Sequence, residues 1–342
     1  QQTDYRITDA GCPFHAHPRS NIAREIFDAF RARGFGVGAY FSKPDWHSPD
    51  YWAPEWATAD RNVNYDPERY PERWRKFCDF TRRQIEELMT GYGRMDILWL
   101  DGGWVRPRST IQDPLALLCR RPYNQDIDMP GIAAMARSYQ PGILLVDRTV
   151  TGRYENYRTP EQRVPEKPPD YPWETCMTMG ESWSYKPGDH YKSSRELIHL
   201  LVDIVSKGGN LLLNIGPDAS GDFAVEAYDR LLAIGRWMRV NGEAIYETRP
   251  VAPYKESKIC YTARRDGTVY AIYLGDEDET APPDKVMLYS HCPPKGGRVE
   301  PLGGSGSLRW EKAGKGVLIH VPKDVLEEPP CGYAWTFRLT GR

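Results

Sequence analysis

The sequence predicts an α/β protein in which parallel strands alternate with helices, followed by a smaller antiparallel β domain. Three observations carry this. Over residues 1–250, apolar runs of strand length alternate with segments of helical period. From about residue 250 the helical period stops, and short alternating segments (ICYTARR, TVYAIYL, KVMLYS, GVLIHVP, YAWTFRL) take over. Asp266-Gly267 separates two of these, a strong two-residue hairpin signal. The expected boundary therefore divides residues 1–250 from residues 251–342, the latter read as a β-sandwich.

The elements follow in order. Ile22, Ile26, Ala29 and Phe30 share one face of a helix over 20–33, which Gly34 stops. FGVGAYF (35–41) reads as a buried strand. Trp74, Phe77, Cys78, Thr81, Ile85 and Leu88 stripe a helix over 72–90, and MDILWLD (95–101) is the next strand. A helix near 130–139 leads to the strand ILLVDR (143–148), and WETCMTMG (173–180) gives a weaker strand. Ser193 and Glu196 form a capping box for a helix over 194–207. NLLLNIG (210–216) is a buried strand, and the last long helix covers about 223–240. Five strands are thus expected before residue 250. No G-x-G-x-x-G follows any of them, so a dinucleotide fold has no support.

Composition excludes several functions. With 45 Lys and Arg against 47 Asp and Glu, the net charge of −2 leaves no basic footprint for nucleic acid and no polybasic membrane patch. No window approaches the ~18–20 apolar residues of a membrane span. The seven cysteines form no C-x-x-C pair, and suit either buried thiols or one or two disulfides. H-E-x-x-H, G-x-S-x-G and P-loop patterns are absent, and PDASGD (217–222) reads as a helix-initiating turn rather than a calcium loop. No metal ligand set and no cofactor site is expected. The chain opens without Met, charged n-region or apolar h-region, so no signal peptide is visible and a trimmed chain is expected.

The candidate chemistry lies where strands end. Asp101 closes MDILWL and precedes Gly102-Gly103, which would let a ligand approach closely. In a (β/α)8 barrel the C-terminal strand ends build the active site. Glu161 lies on the long Pro-rich connection after the strand at 143–148. A retaining glycosidase needs two carboxyl groups about 5 Å apart, one a nucleophile and one an acid/base. Glu174 is a rival acid that could instead bind substrate or pair with an Arg, Glu181 is another loop carboxylate at a strand end, and Arg148, at the end of ILLVD, could hold a hydroxyl, lower the pKa of a neighbouring carboxylate, or make a structural salt bridge. Aromatics make up 12% of the chain. Trp46, His47, Tyr51, Trp52 and Trp56 cluster after the first strand, Trp99 shares a strand face with Asp101, and Trp104 and Trp183 lie on later loops. Such faces stack on sugars, although core packing is the commoner role for any one of them.

WLDGGW (99–104), LVDR (145–148), TPEQRVP (159–165) and above all LVDIVSKGGNLLLNIGPDASGD (201–222) with WMRVNGEAIYET (237–248) resemble the family 29 glycoside hydrolases, the α-L-fucosidases. The resemblance covers essentially the whole chain and weakens after about residue 250. It implies a (β/α)8-like TIM barrel followed by a β-sandwich, with the chain starting after the third barrel strand and therefore lacking the H-H-D-G-F segment whose histidines grip fucose. It implies double displacement, with Asp101 as nucleophile and Glu161 as general acid/base. Arg148 and Trp99 match substrate-pocket positions, and Trp46, His47 and Glu174 are expected to bind substrate. The implied partner is a fucosylated oligosaccharide or glycoconjugate, without metal or organic cofactor, in a secreted, periplasmic or lysosomal setting. Linkages of α-1,3 and α-1,4 type are expected. A carbohydrate-binding remnant and a retaining glycosidase for another sugar stand as the alternatives, and the oligomeric state leaves no mark.

Overall fold

The computed structural model describes residues 8, 10–60, 62–111 and 123–341, which leaves Cys119 outside the described residues. The chain packs as two compact units, residues 1–158 and 159–342.

In the first unit, α1 (Ile22–Arg31), β1 (Gly38–Ser42), α2 (Pro71–Gly91), β2 (Ile97–Asp101), α3 (Met129–Tyr139) and β3 (Leu144–Asp147) alternate as expected. The strands form one parallel sheet in the order β1-β2-β3. Gly38 is registered on Ile97 and Ser42 on Asp101, and Leu100 on Asp147. Because successive side chains alternate, Val37, Ala39, Leu98, Leu100 and Leu145 point to one face. There they share a core with Phe77 and Ile85 of α2 and Ile132 and Ala136 of α3. The helix α1 departs from expectation. Ala23 and Phe27 pack on that core, while Ile22, Ile26 and Phe30 remain 43–52% exposed. The buried line of α1 is therefore set one residue, about 100° of helix, away from the stripe the sequence suggests.

The second unit begins with β4 (Trp173–Thr178), α4 (Ser194–Ser206), β5 (Gly209–Asn214) and α5 (Val225–Asn241). β4 and β5 pair in parallel, Trp173 against Gly209. The capping box forms: the Glu196 N–H donates to Ser193 Oγ at 3.1 Å, and the Ser193 N–H to Glu196 Oε2 at 2.6 Å. PDASGD is a turn knotted by Asp218, whose Oδ1 accepts from Ser220 and Asp222 N–H groups.

The antiparallel strands follow: β6 (Arg249–Glu256), β7 (Ile259–Ala263), β8 (Val269–Leu274), β9 (Lys285–Leu288), β10 (Arg298–Pro301), β11 (Arg309–Ala313), β12 (Gly316–His320) and, after the short α6 (Lys323–Glu327), β13 (Ala334–Thr340). They form sheets ordered β10-β13-β8-β7-β6 and β11-β12-β9. β7 and β8 make a hairpin at Asp266-Gly267, with a longer loop than the two-residue turn expected: the Arg264 N–H donates to the Thr268 carbonyl at 2.9 Å, and Arg265, Asp266 and Gly267, the last at φ +89°, lie between them. Tyr261, Ala271 and Phe337 of the first sheet and Val286, Leu288, Val317 and Ile319 of the second share one core, which makes the pair a sandwich. A further core joins Ile198 and Val202 of α4 and Trp237 of α5 to Cys260, Tyr270 and Ile272 of the first sheet. Cys12, Cys78, Cys260, Cys292 and Cys331 are free thiols. No described helix is long and apolar enough to cross a membrane.

Two glycines of the second unit give opposite predictions. A Cβ on Gly209 would enter the ring of buried Trp173, its register partner, so Gly209→Ala is expected to cost about 1–3 kcal/mol through overpacking. A Cβ on Gly235, inside α5, meets nothing within 4 Å, so Gly235→Ala is expected to stabilise by about 0.5–1 kcal/mol through helix propensity. Denaturant midpoints at constant slope check both.

Candidate active site

The two faces of the β1-β2-β3 sheet differ in kind. Opposite the apolar core, alternation places Tyr40 and Ser42 of β1, Trp99 and Asp101 of β2, and Arg148, the residue after β3, on one face. The sequence produces this by alternating Val37, Ala39 and Phe41 with Gly38, Tyr40 and Ser42 along β1.

Asp101 is the centre of that face. Tyr40 donates its hydroxyl to Oδ2 at 2.8 Å, and Arg148 donates Nη1 to Oδ1 at 2.9 Å. Both carboxylate oxygens are thus engaged by neighbouring strands. Tyr40 stacks on Trp99 with ring centroids 5.3 Å apart, and the Arg148 guanidinium lies 5.0 Å from the Trp99 ring centroid on a cation–π contact. Trp99 is 9% exposed, and its indole Nε1 is a buried donor with no partner among the described residues.

The electrostatics favour the carboxylate. Burial works against ionisation of Asp101, but hydrogen bonds from Tyr40, Arg148 and the Gly102 N–H, together with the Arg148 charge, outweigh it and hold the carboxyl below its ordinary range. Burial and the same carboxylate push the Tyr40 hydroxyl up, so it stays a donor. The strand end is pinned on both sides, by the Lys43 N–H on the Asp101 carbonyl at 3.0 Å and the Arg148 N–H on the Leu100 carbonyl at 3.1 Å.

Gly102 and Gly103 are also required by packing within the chain. Gly102 sits at φ +87°, and a Cβ there would strike the Pro44 ring. A Cβ on Gly103 would strike Thr149 and the Arg148 carbonyl. The glycines let the segments after β1, β2 and β3 close tightly around the end of Asp101's strand.

Behind that end lies a second charged pair. Lys43, immediately after β1, is fully buried and donates Nζ to Asp147 Oδ1 at 2.6 Å. Asp147 is the last residue of β3 and is 2% exposed. Burial pushes Lys43 down and Asp147 up, and each charge offsets the other's desolvation. Arg106 is buried beside them and donates to the Thr149 carbonyl at 3.2 Å.

The residues after β1 divide. Trp46, 53% exposed, lines a cleft of about 410 Å³ with Tyr40, Ser42, Phe80 and Gln84. His47 is exposed nearby. Tyr51 belongs to the core instead, where it accepts from Trp104 Nε1 at 3.2 Å. Trp52 and Trp104 also pack on that core, so much of the aromatic excess is structural.

The second unit carries the other candidate acids. Glu161 is exposed and forms a parallel bridge with Cys176 of β4. The Gln162 N–H donates to the Cys176 carbonyl at 3.0 Å, and the Cys176 N–H to the Pro160 carbonyl at 3.1 Å. The TPEQ segment is thereby drawn against β4 as a short extra strand. Glu174 is a partly buried residue of β4, two positions from Cys176, and so projects from the same face of that strand. Glu181 pairs with Lys186 at 3.0 Å on an exposed loop, and Trp183 is exposed beside it. Among the described residues no three His, Cys, Asp or Glu side chains gather as a metal would require.

Sequence reasoning singled out Asp101, Arg148 and Trp99 but missed Tyr40, Lys43 and Asp147. Tyr40 had a signal: it is the one large side chain on the small-residue face of FGVGAYF. Lys43 and Asp147 had none, because a lone Lys after a strand reads as solvent-exposed.

Comparison with known proteins bears on the family. A family model described as alpha-L-fucosidase matches residues 1–243, and one described as alpha-L-fucosidase C-terminal domain matches residues 254–340. The tissue alpha-L-fucosidase of Mus musculus is 29% identical over 336 residues, covering 94% of this chain and 67% of that protein. The human tissue enzyme is 29% identical over 335 residues, covering 95% and 66%. The chain thus spans about two thirds of the length of these curated relatives. Among solved structures, alpha-L-fucosidase isoenzyme 1 from Paenibacillus thiaminolyticus superposes with a TM-score of 0.75 at 26% identity, covering 99% of this chain and 78% of that one. The alpha-fucosidase of Thermotoga maritima gives 0.68 at 26%, covering 92% and 67%. Matched over both its α/β region and its antiparallel sheets, the chain belongs to the alpha-L-fucosidase family.

Proposed function

We propose that the chain carries the catalytic machinery of a retaining exo-α-L-fucosidase acting on fucosylated glycans, including α-1,3 and α-1,4 linkages. The observation that supports it best is the Asp101 carboxylate, held ionised at the end of β2 by Tyr40 and Arg148. A nucleophile must be a carboxylate before the first step, and these donors keep it one. Asp101 attacks the anomeric carbon as the glycosidic C–O bond breaks, and Glu161 gives its proton to the departing oxygen. Glu161 then takes a proton from water, which attacks the anomeric carbon and releases Asp101 as a carboxylate. Trp99, its ring covered by Tyr40 and Arg148, supplies an unpartnered donor for a sugar hydroxyl. Trp46, His47 and Glu174 complete the substrate contacts. In this reading β1 to β5 belong to one (β/α)8-like barrel, with the sandwich beginning near residue 251.

The test is hydrolysis of an aryl α-L-fucoside. Asp101→Ala should lower kcat/KM by roughly three orders of magnitude or more, and azide should rescue it as the β-fucosyl azide. Glu161→Gln should slow poor leaving groups by about 10²–10⁴-fold, and azide should give the α-fucosyl azide. An Asp101→Ala variant with parental turnover would refute the assignment.

Tyr40→Phe removes one donor from Asp101 without removing the ring that stacks on Trp99. The Asp101 pKa should rise, so the carboxylate is lost at a higher pH on acidification. The acidic limb of the kcat/KM profile should move to higher pH, while stacking-dependent KM changes little.

A further inference from the structure

We infer that Lys43 and Asp147 form a positioning pair that acts through Asp101 and Arg148, setting the nucleophile and its guanidinium partner from behind the sheet. The inference rests on reading Asp101 as the nucleophile.

The topology makes the pair unusual. β1 and β3 are not neighbours, since β2 lies between them. Two strand spacings separate them, roughly 10 Å. Only a long side chain crosses that gap, and Lys43 does so, reaching Asp147 at 2.6 Å. The bridge therefore passes behind the end of β2, where Asp101 sits. Each member of the pair is also joined to the site through its backbone. The Lys43 N–H holds the Asp101 carbonyl. Asp147 is bonded to Arg148, whose N–H holds the Leu100 carbonyl and whose guanidinium holds Asp101 Oδ1. Pulling β1 and β3 together thus brings Tyr40 and Arg148 in from opposite sides onto one carboxylate.

A buried pair of this kind is not retained for stability alone. Apolar residues of similar volume commonly serve as well or better, whereas loss of one partner strands a buried charge. Here the back face is otherwise apolar, formed by Val37, Ala39, Leu98, Leu100 and Leu145. The pair, with Arg106 beside it, interrupts that apolar face at the level of Asp101. The charged groups around it are accounted for. Asp101 is faced by Tyr40, Arg148 and, from behind, Lys43, while Asp147 is faced by Lys43 and Arg106 with Glu155 beyond.

The test uses the full chain with Lys43→Met/Asp147→Leu, which removes both charges and leaves an apolar contact. Its thermal midpoint should stay near the parent's, while Lys43→Met alone should lower it by stranding Asp147. Despite restored stability, kcat/KM for the aryl α-L-fucoside should fall by roughly 10–100-fold, mainly in kcat, as expected for a misplaced reacting group. The acidic limb should move to higher pH. Independently of turnover, ¹³C NMR titration of the Asp101 carboxyl, assigned with Asp101→Asn, should show its pKa raised in the double variant. An unchanged Asp101 titration with parental kcat would overturn the inference. A parent chain that does not hydrolyse the fucoside would refute the fucosidase reading, and the NMR titration would then decide the pair alone. If the double variant does not fold, Lys43→Gln, which removes the charge and keeps a shorter polar side chain, should raise the Asp101 pKa in the same titration, and no rise would count against the pair.

Discussion

A three-stranded parallel sheet has one strand with neighbours on both sides, and in the first unit that strand is β2. Asp101 ends it. A carboxylate there can be approached by donors from two strands at once, and Tyr40 and Arg148 come from those two strands. The arrangement depends on register. With Ser42 beside Asp101 and Leu100 beside Asp147, Tyr40, Trp99, Asp101 and Arg148 share a face. A slip of one residue would turn Asp101 into the apolar core and bring Leu100 to the front. The apolar back face specifies the register, so the packing that stabilises the unit also aims the carboxylate.

The two faces divide the work. The back face buries Leu98, Leu100 and Leu145 against α2 and α3, and supplies the stability. The front face keeps polar groups that such a core would exclude. The Asp101–Arg148 contact is partly exposed, with side chains 27% and 12% accessible, so its worth lies in orientation and ionisation more than in folding energy. Its sign is nonetheless definite. A carboxyl held below its unfolded pKa adds stability above that pKa, and the contribution disappears as pH falls through the lower native value.

Much of this was legible in the chain. Periodicity located most of the strands and helices because they bury one face, and Asp266-Gly267 marked its hairpin because Gly267 takes the positive φ that the turn needs. The Ser193–Glu196 capping box was readable for the same local reason. Asp101 and Arg148 stood out as charges closing apolar runs. What was hidden depends on pairing. Nothing local in KPDW distinguishes Lys43 from a solvated lysine until β3 is placed two strands away. The buried line of α1 was misjudged because Ile22, Ile26 and Phe30 are larger than Ala23 but face away from the core that orients the helix. Tyr51 is core and Trp104 packs against it, the commoner role for a single aromatic, but which of the clustered aromatics would be buried depends on tertiary neighbours that composition does not specify.

In the second unit the TPEQ segment lies along β4, so Glu161 is carried by a strand-like support rather than a free loop. A general acid/base must alternate its proton between leaving group and water, and an exposed carboxyl on fixed backbone suits that cycle. The nucleophilic role of Asp101 is the central claim, and covalent trapping tests it most directly. A 2-deoxy-2-fluoro-fucosyl fluoride slows both steps and lets the glycosyl-enzyme accumulate. Peptide mapping of the trapped protein should place one sugar on the peptide containing Asp101. Stoichiometric labelling of any other carboxylate would contradict that role.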